Sequence, residues 1–284
     1  MKKILLPLIL LACSVVGANA GKIVTDSIKS NILNFTIKYN VYLPDGFDQS
    51  NEQYPVVYLL HGMYGAYEDW DKMGRMKLVA DEQIKSGESC PMVIVMPTAG
   101  DYDIYKVQNG YFNVPGWRYE DFFFQEFMPE VEKKYRIKGD KGHRSIMGLS
   151  MGGGGCTVYC QKHPDMFSSC YAMSAWLDTE NLNEEKARQG NMLYMLNRSV
   201  RENSAIAFVE KADENTVKNL RSIKWFIDCG DEDHLLDQNV LFYQKMRDKK
   251  IKAEFRVRNS GHNWEYWHTA LKLALPFASR NFSK

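Results

Sequence analysis

Short apolar runs alternate with longer amphipathic stretches along the chain, and each type predicts its own element. "YPVVYLLHG" (54–62) is apolar and bounded by Pro and Gly, the pattern of a strand buried on both faces. "PMVIVMP" (91–97), "RSIMG" (144–148), "SSCYAMSA" (168–175) and "IKWFIDCG" (223–230) repeat it, and "AEFRVRN" (253–259) ends the series. Ahead of them, "NFTIKYNVYLP" (34–44) alternates apolar and polar residues and predicts antiparallel strands closing at Pro44-Asp45-Gly46. Helical patterns fall at about 68–86, 119–135, 152–162, 238–249 and 264–281. Strands alternating with helices predict an α/β fold, with a mostly parallel sheet covered on both faces. The polar stretch 178–220 breaks the rhythm and is longer than a normal connection. It predicts a small helical cap inserted over one end of the sheet.

The N-terminus changes this picture first. "MKKILLPLILLACSVVGANA" has a basic start, an apolar centre and Ala18-Asn19-Ala20, which together predict a secretory signal ending at residue 20. The apolar part is shorter than the roughly 20 residues of a membrane span. Leu10-Leu11-Ala12-Cys13 fits a lipid-attachment box less well, so a free secreted or periplasmic chain starting at Gly21 is favoured over a lipoprotein. The mature chain is long enough for one large core and is expected to be a single domain, 21–284. The balance of 36 basic and 35 acidic residues gives no electrostatic case for nucleic acid or a membrane surface. Cys90, Cys156, Cys160, Cys170 and Cys229 make an odd set, mostly within apolar runs. They predict small buried side chains, not a disulfide framework or a zinc site.

The candidate chemistry centres on "IMGLSMGGGG" (146–155). Gly148-Leu149-Ser150-Met151-Gly152 reads G-x-S-x-G between a predicted strand and a predicted helix, the setting of a nucleophile elbow. A serine needs a base within hydrogen-bond reach. Of six histidines, His262 in "RNSGHNWEYW" comes after the last strand and before the last helix, where a loop could carry it over the sheet. His163 precedes Pro164 at a helix end, His143 enters a strand, His234 sits among acids, and His268 lies inside the last helical pattern. "FIDCGDEDHLLDQN" (226–239) offers the acid that would orient the base, in the chain order Ser, acid, His. Of its acids Asp228, Asp231, Glu232 and Asp233, Asp228 falls within or at the end of the predicted strand, whereas Asp231 and Asp233 are both on the loop and spacing does not separate them. The acidic cluster does not assure enough oxygens for a hard cation, so neither metal nor cofactor is expected. The amides of Met151 and of Met63, in "HGMYG" (61–65), are the expected oxyanion donors, and His61 is expected to be structural.

"YLLHGMYG", "YEDFFFQEFMPEVEKKYRI", "GLSMGGGG", "CGDEDHLL" and "SGHNWEYW" together resemble the putative-esterase branch of the α/β-hydrolases over nearly all of the mature chain. That branch holds esterase D (S-formylglutathione hydrolase), feruloyl and acetyl xylan esterases, tributyrin esterases and mycolyltransferases. The resemblance implies the α/β-hydrolase fold and a serine carboxylesterase working through an acyl-enzyme. It matches Ser150 to the nucleophile and His262 to the base. The G-x-x-D pattern of Gly230 to Asp233 makes Asp233 the acid. Nothing in the resemblance assigns 178–220. A secreted member with Trp264, Tyr266 and Trp267 beside its histidine is similar to enzymes acting on feruloyl or acetyl esters of plant cell-wall polysaccharide. Tyr64, Trp264 and Trp267 are the candidate substrate contacts, through aromatic stacking. The same aromatics could instead anchor the last helix. A mycolyl-type acyltransferase, a tributyrin-type esterase and a non-catalytic carbohydrate-binding protein are the alternatives. A prolyl-oligopeptidase-like peptidase fits less well, with no propeller ahead of the core. The expected partner is a small-molecule or carbohydrate-linked ester, with no stable membrane insertion; oligomeric state is left open.

Overall fold

The computed structural model describes residues 20–100, 102–105, 108–180 and 182–284, so Cys13 and all of the leader except Ala20 lie outside the described residues. Among the described residues ten strands are formed: β1 (Lys22–Ser30), β2 (Phe35–Leu43), β3 (Val56–Leu60), β4 (Val93–Pro97), β5 (Asn113–Val114), β6 (Trp117–Arg118), β7 (Arg144–Leu149), β8 (Ser169–Met173), β9 (Lys224–Gly230) and β10 (Ala253–Arg258). Eight of them make one sheet in the order β1-β2-β4-β3-β7-β8-β9-β10, and β5 pairs with β6 in a small hairpin. From β4 to β10 every neighbour is parallel, whereas β1 and β2 add an antiparallel edge. This is the α/β-hydrolase arrangement expected from the sequence.

Burial explains why the runs read as they do. Every residue of β3, β4 and β8 is buried, because helices cover both faces, and the sequence there has no polar face to show. The edge strands β1 and β10 are partly exposed along most of their length. On one face, Phe122, Phe123, Tyr159 and Phe242 pack with Val56, Tyr58 and Ile146; on the other, Trp70, Val79, Leu271 and Phe277 pack with Val57, Met147 and Tyr171.

Three expectations change in detail. The 34–44 segment is one strand, β2, and it pairs antiparallel with β1, which lies earlier in the chain than the sequence indicates, and with β4 on its other side. The 68–86 pattern breaks into Asp69–Lys72 and Met76–Ser86, because Arg75 takes a left-handed turn at φ 51°. The 119–135 pattern is helical throughout but widens to a π turn over Phe123–Phe127. The stretch 178–220 carries four helices, Glu184–Arg188, Met192–Glu202, Ala205–Lys211 and Glu214–Leu220. Asn183, Asn191, Ser204 and Asp213 cap them, each accepting a backbone N–H in the first turn. The five cysteines of the described residues are unpaired; Cys156, Cys160, Cys170 and Cys229 are buried and Cys90 is half-buried. No helix among the described residues is long and apolar enough to cross a membrane.

Candidate active site

β7 ends at Leu149, and the helix Met151–Lys162 begins two residues later, so the chain must reverse at Ser150. It does so with φ 53° and ψ −118°, a conformation that costs a non-glycine residue on the order of 1–3 kcal/mol. Three backbone hydrogen bonds hold it there. The Ser150 amide donates to the Met173 carbonyl at 2.9 Å, and the Ser150 carbonyl accepts from Gly154 at 3.0 Å and Trp176 at 2.9 Å. The glycines next along the chain make such a sharp entry possible. A Cβ on Gly152 would lie 2.5 Å from the His61 carbonyl oxygen and 2.6 Å from that of Leu60. One on Gly154 would lie 2.1 Å from the Trp176 carbonyl oxygen. Both obstacles are backbone, so the helix can seat this close to the sheet only without side chains.

His262 lies on the loop between β10 and the helix Trp264–Asn281. Its Nε2 is 3.0 Å from Ser150 Oγ, and its Nδ1 is 3.0 and 2.9 Å from the two carboxylate oxygens of Asp233. Asp233 is buried, just past the end of β9. Burial raises its pKa, but hydrogen bonds from His262, the Leu235 amide and Ser174 outweigh that and hold the carboxyl below its ordinary range. A carboxylate facing Nδ1 places the ring proton on Nδ1 and leaves Nε2 as an acceptor toward Ser150.

The other candidates separate cleanly. Asp228 is buried within β9, paired with Arg256 and accepting from the Tyr171 and Tyr266 hydroxyls. Asp231 is exposed and accepts from the Ser260 amide at 3.0 Å. His61 is fully buried: its Nε2 accepts from the Ala99 amide at 2.9 Å and its Nδ1 donates to the Gly62 carbonyl at 2.7 Å. Burial pushes its pKa down to about 4. It is thus a neutral brace for the loop that carries Met63 and Tyr64. His143 sits against Asp140, His163 against Glu120, and His268 Nδ1 against the Gly74 carbonyl.

A cleft of about 800 Å³ opens over Ser150 and His262. Met63, Tyr64, Trp264 and Trp267 line it, and Tyr64 is 45% exposed. Met151 opens its helix, so its N–H has no acceptor within the helix. Trp267 is almost wholly buried, with Nε1 donating to Ser174 Oγ at 3.1 Å and its ring edge-on to His262 at 4.8 Å. Tyr266 is fully buried beside it in the same helix. Of the aromatic cluster, Trp267 and Tyr266 therefore fasten the last helix under His262, and Trp264 is the half-buried member on the cleft side. Three groups of residues carry no signal in the sequence. Ser174 turns out of β8 at φ 45° toward Asp233, and the apolar run around it gives no hint of that turn. Leu193 and Asn197 line the cleft from within 178–220, and Trp176, Thr179 and Gln238 complete that wall.

Comparison with known proteins identifies the family. Residues 30–278 match the family model described as "Putative esterase". A solved ferulic acid esterase is 49% identical, with a TM-score of 0.90, over 93% of this chain and all of that one. The endo-1,4-beta-xylanase/feruloyl esterase of Xylanibacter ruminicola is 33% identical over 132 residues, 45% of this chain and 18% of that protein. The chain therefore spans less than a fifth of that relative's length. The S-formylglutathione hydrolase of Staphylococcus aureus shares the fold at a TM-score of 0.73 and 20% identity, over 91% of this chain and 99% of that one. The chain belongs to the putative-esterase family of α/β-hydrolases.

Proposed function

We propose that the protein is a serine carboxylesterase, secreted by its N-terminal leader, that cleaves feruloyl or acetyl esters of plant cell-wall polysaccharide. The observation that carries this is the unbroken hydrogen-bonded line from Ser150 Oγ through His262 to Asp233, opening on the cleft. His262 Nε2 takes the Ser150 proton as Oγ attacks the ester carbonyl, and Asp233 stabilises the imidazolium that forms. The oxyanion is met by the amides of Met63 and Met151. Collapse breaks the bond from the carbonyl carbon to the sugar oxygen, which takes the proton from Nε2 and leaves as the free hydroxyl, and an acyl-Ser150 ester remains. Water, deprotonated by His262, then releases the acid and restores the serine.

The substrate class rests on the ferulic acid esterase relationship and on the cleft itself. Tyr64 and Trp264 offer apolar faces to an aromatic acyl group, and about 800 Å³ suits a ligand of that size. The 178–220 segment acts as a cap, since Leu193 and Asn197 build one wall. Rates on methyl ferulate, feruloylated arabinoxylan, p-nitrophenyl acetate and p-nitrophenyl butyrate test the proposal. Release of ferulate from both feruloyl substrates is expected. Activity on the short acyl esters alone would move the substrate to acetylated sugars or simple esters. Transfer to an added sugar alcohol that outruns hydrolysis would replace hydrolase with acyltransferase.

A further inference from the structure

His234 stands directly after the acid and takes no part in the reaction above. Its ring nevertheless lies 4.6 Å from that of His262, and its Nδ1 lies 3.8 Å from Asp233 Oδ1. Asp233, His234 and His262 each offer one ligand atom, and those atoms all lie within 4.8 Å of one another. The His234 side chain is 69% exposed and both histidines line the cleft, so one ligand is free to turn toward an ion entering there, with the buried Asp233 carboxylate behind them. Two imidazoles and one carboxylate suit a borderline divalent cation, whereas the hard cations set aside from the sequence want a shell of oxygens. Zinc–ligand bonds of about 2.0–2.1 Å place tetrahedral donors about 3.3 Å apart. Asp233 Oδ1 now lies 3.0 Å from His262 Nδ1 and 3.8 Å from His234 Nδ1, on either side of that value, and a turn of the exposed His234 ring closes the rest of the gap.

We propose that Asp233, His234 and His262 form an inhibitory site for zinc or a similar divalent cation. The ion sits where the His262 Nδ1 proton now bridges to Asp233. Nδ1 gives its lone pair to the metal, and the proton it carried moves to Nε2. The ring stays neutral and nothing is oxidised or reduced. Nε2 then donates toward Ser150 instead of accepting, and the serine has no base. Solvent fills the remaining coordination position. His234 thus makes the protein responsive to zinc without touching the substrate chemistry.

Two measurements test this. Ser150→Ala protein, titrated with zinc chloride against a chromogenic chelator, should bind one ion per chain. Adding His234→Ala should weaken that binding about tenfold or more. This titration reads no turnover, so it stands apart from the esterase assignment. In the otherwise unaltered protein, zinc should inhibit ester hydrolysis and a chelator should restore it. His234→Ala, compared with its own zinc-free rate, should need about ten times more zinc for half inhibition. Equal zinc affinity with and without His234, or zinc binding that leaves the rate unchanged, would overturn the proposal.

Discussion

Ser150 is held in a strained turn by three backbone hydrogen bonds, so its hydroxyl position depends on neighbours that carry no chemistry. Gly152→Ala tests that dependence. The new Cβ would meet the carbonyls of Leu60 and His61 at 2.6 and 2.5 Å, with no flexible side chain to give way. The expected cost is about 1–3 kcal/mol in a thermal or urea melt, with a fall in kcat as the elbow shifts. The two aspartates make a second test. Asp233→Asn removes the negative charge and puts an N–H donor in place of one of the two oxygens facing His262 Nδ1, and should lower kcat by about 10⁴, whereas Asp231→Asn should stay within a few fold. The reverse ranking would make Asp231 the acid. Ser150 and His262 are legible in the sequence because each stands at a strand end with a recognisable neighbourhood. The acid is not legible from spacing, since Asp231 and Asp233 lie two residues apart on the same loop. Spacing cannot tell which carboxylate turns toward a histidine that arrives from 29 residues later in the chain.

Elements set how the cleft is built. The loop after β3 is braced by His61 beneath it, the last helix is fastened by Trp267, and one wall comes from the helix Met192–Glu202. Leu193 and Asn197 stand on that helix and line the cleft, so Leu193→Asp should penalise a bulky aromatic acyl group more than a small one. KM for methyl ferulate is expected to rise about tenfold, with the kcat/KM for p-nitrophenyl acetate changing far less. Parallel changes on both esters would remove the cap from acyl recognition. The buried strands are legible because being covered on both faces leaves a continuous apolar run. β1 is not, because its pattern of half-buried and exposed residues is that of a solvated edge. The break at Arg75 is equally silent, since a left-handed turn at an arginine has no compositional signal.

For the molecule as a whole, the site couples stability to acid. His61 is buried neutral with its pKa pushed from 6.5 down to about 4, so the unfolded chain binds a proton that the folded chain refuses. Its contribution is complete above pH 6.5 and is lost as pH falls toward 4, by about 3 kcal/mol. The lowered pKa of Asp233 acts in the same direction at still lower pH: its contribution is present above the unfolded value and lost as pH falls through the folded one. The melting temperature should therefore drop between pH 6.5 and 4, and less steeply in His61→Gln; identical slopes would refute the assignment. The α/β architecture is legible from the order of the runs alone, while the wall that Leu193 and Asn197 give the cleft rests on capped helices with no periodic link to the sheet. Hydrolysis of methyl ferulate by the wild type and by Ser150→Ala is the decisive comparison for a serine esterase. Turnover by the wild type is expected, with a loss of at least about 10⁴ in kcat for the variant and an unchanged melting temperature. Turnover retained by a folded Ser150→Ala protein would contradict the assignment of Ser150 as nucleophile.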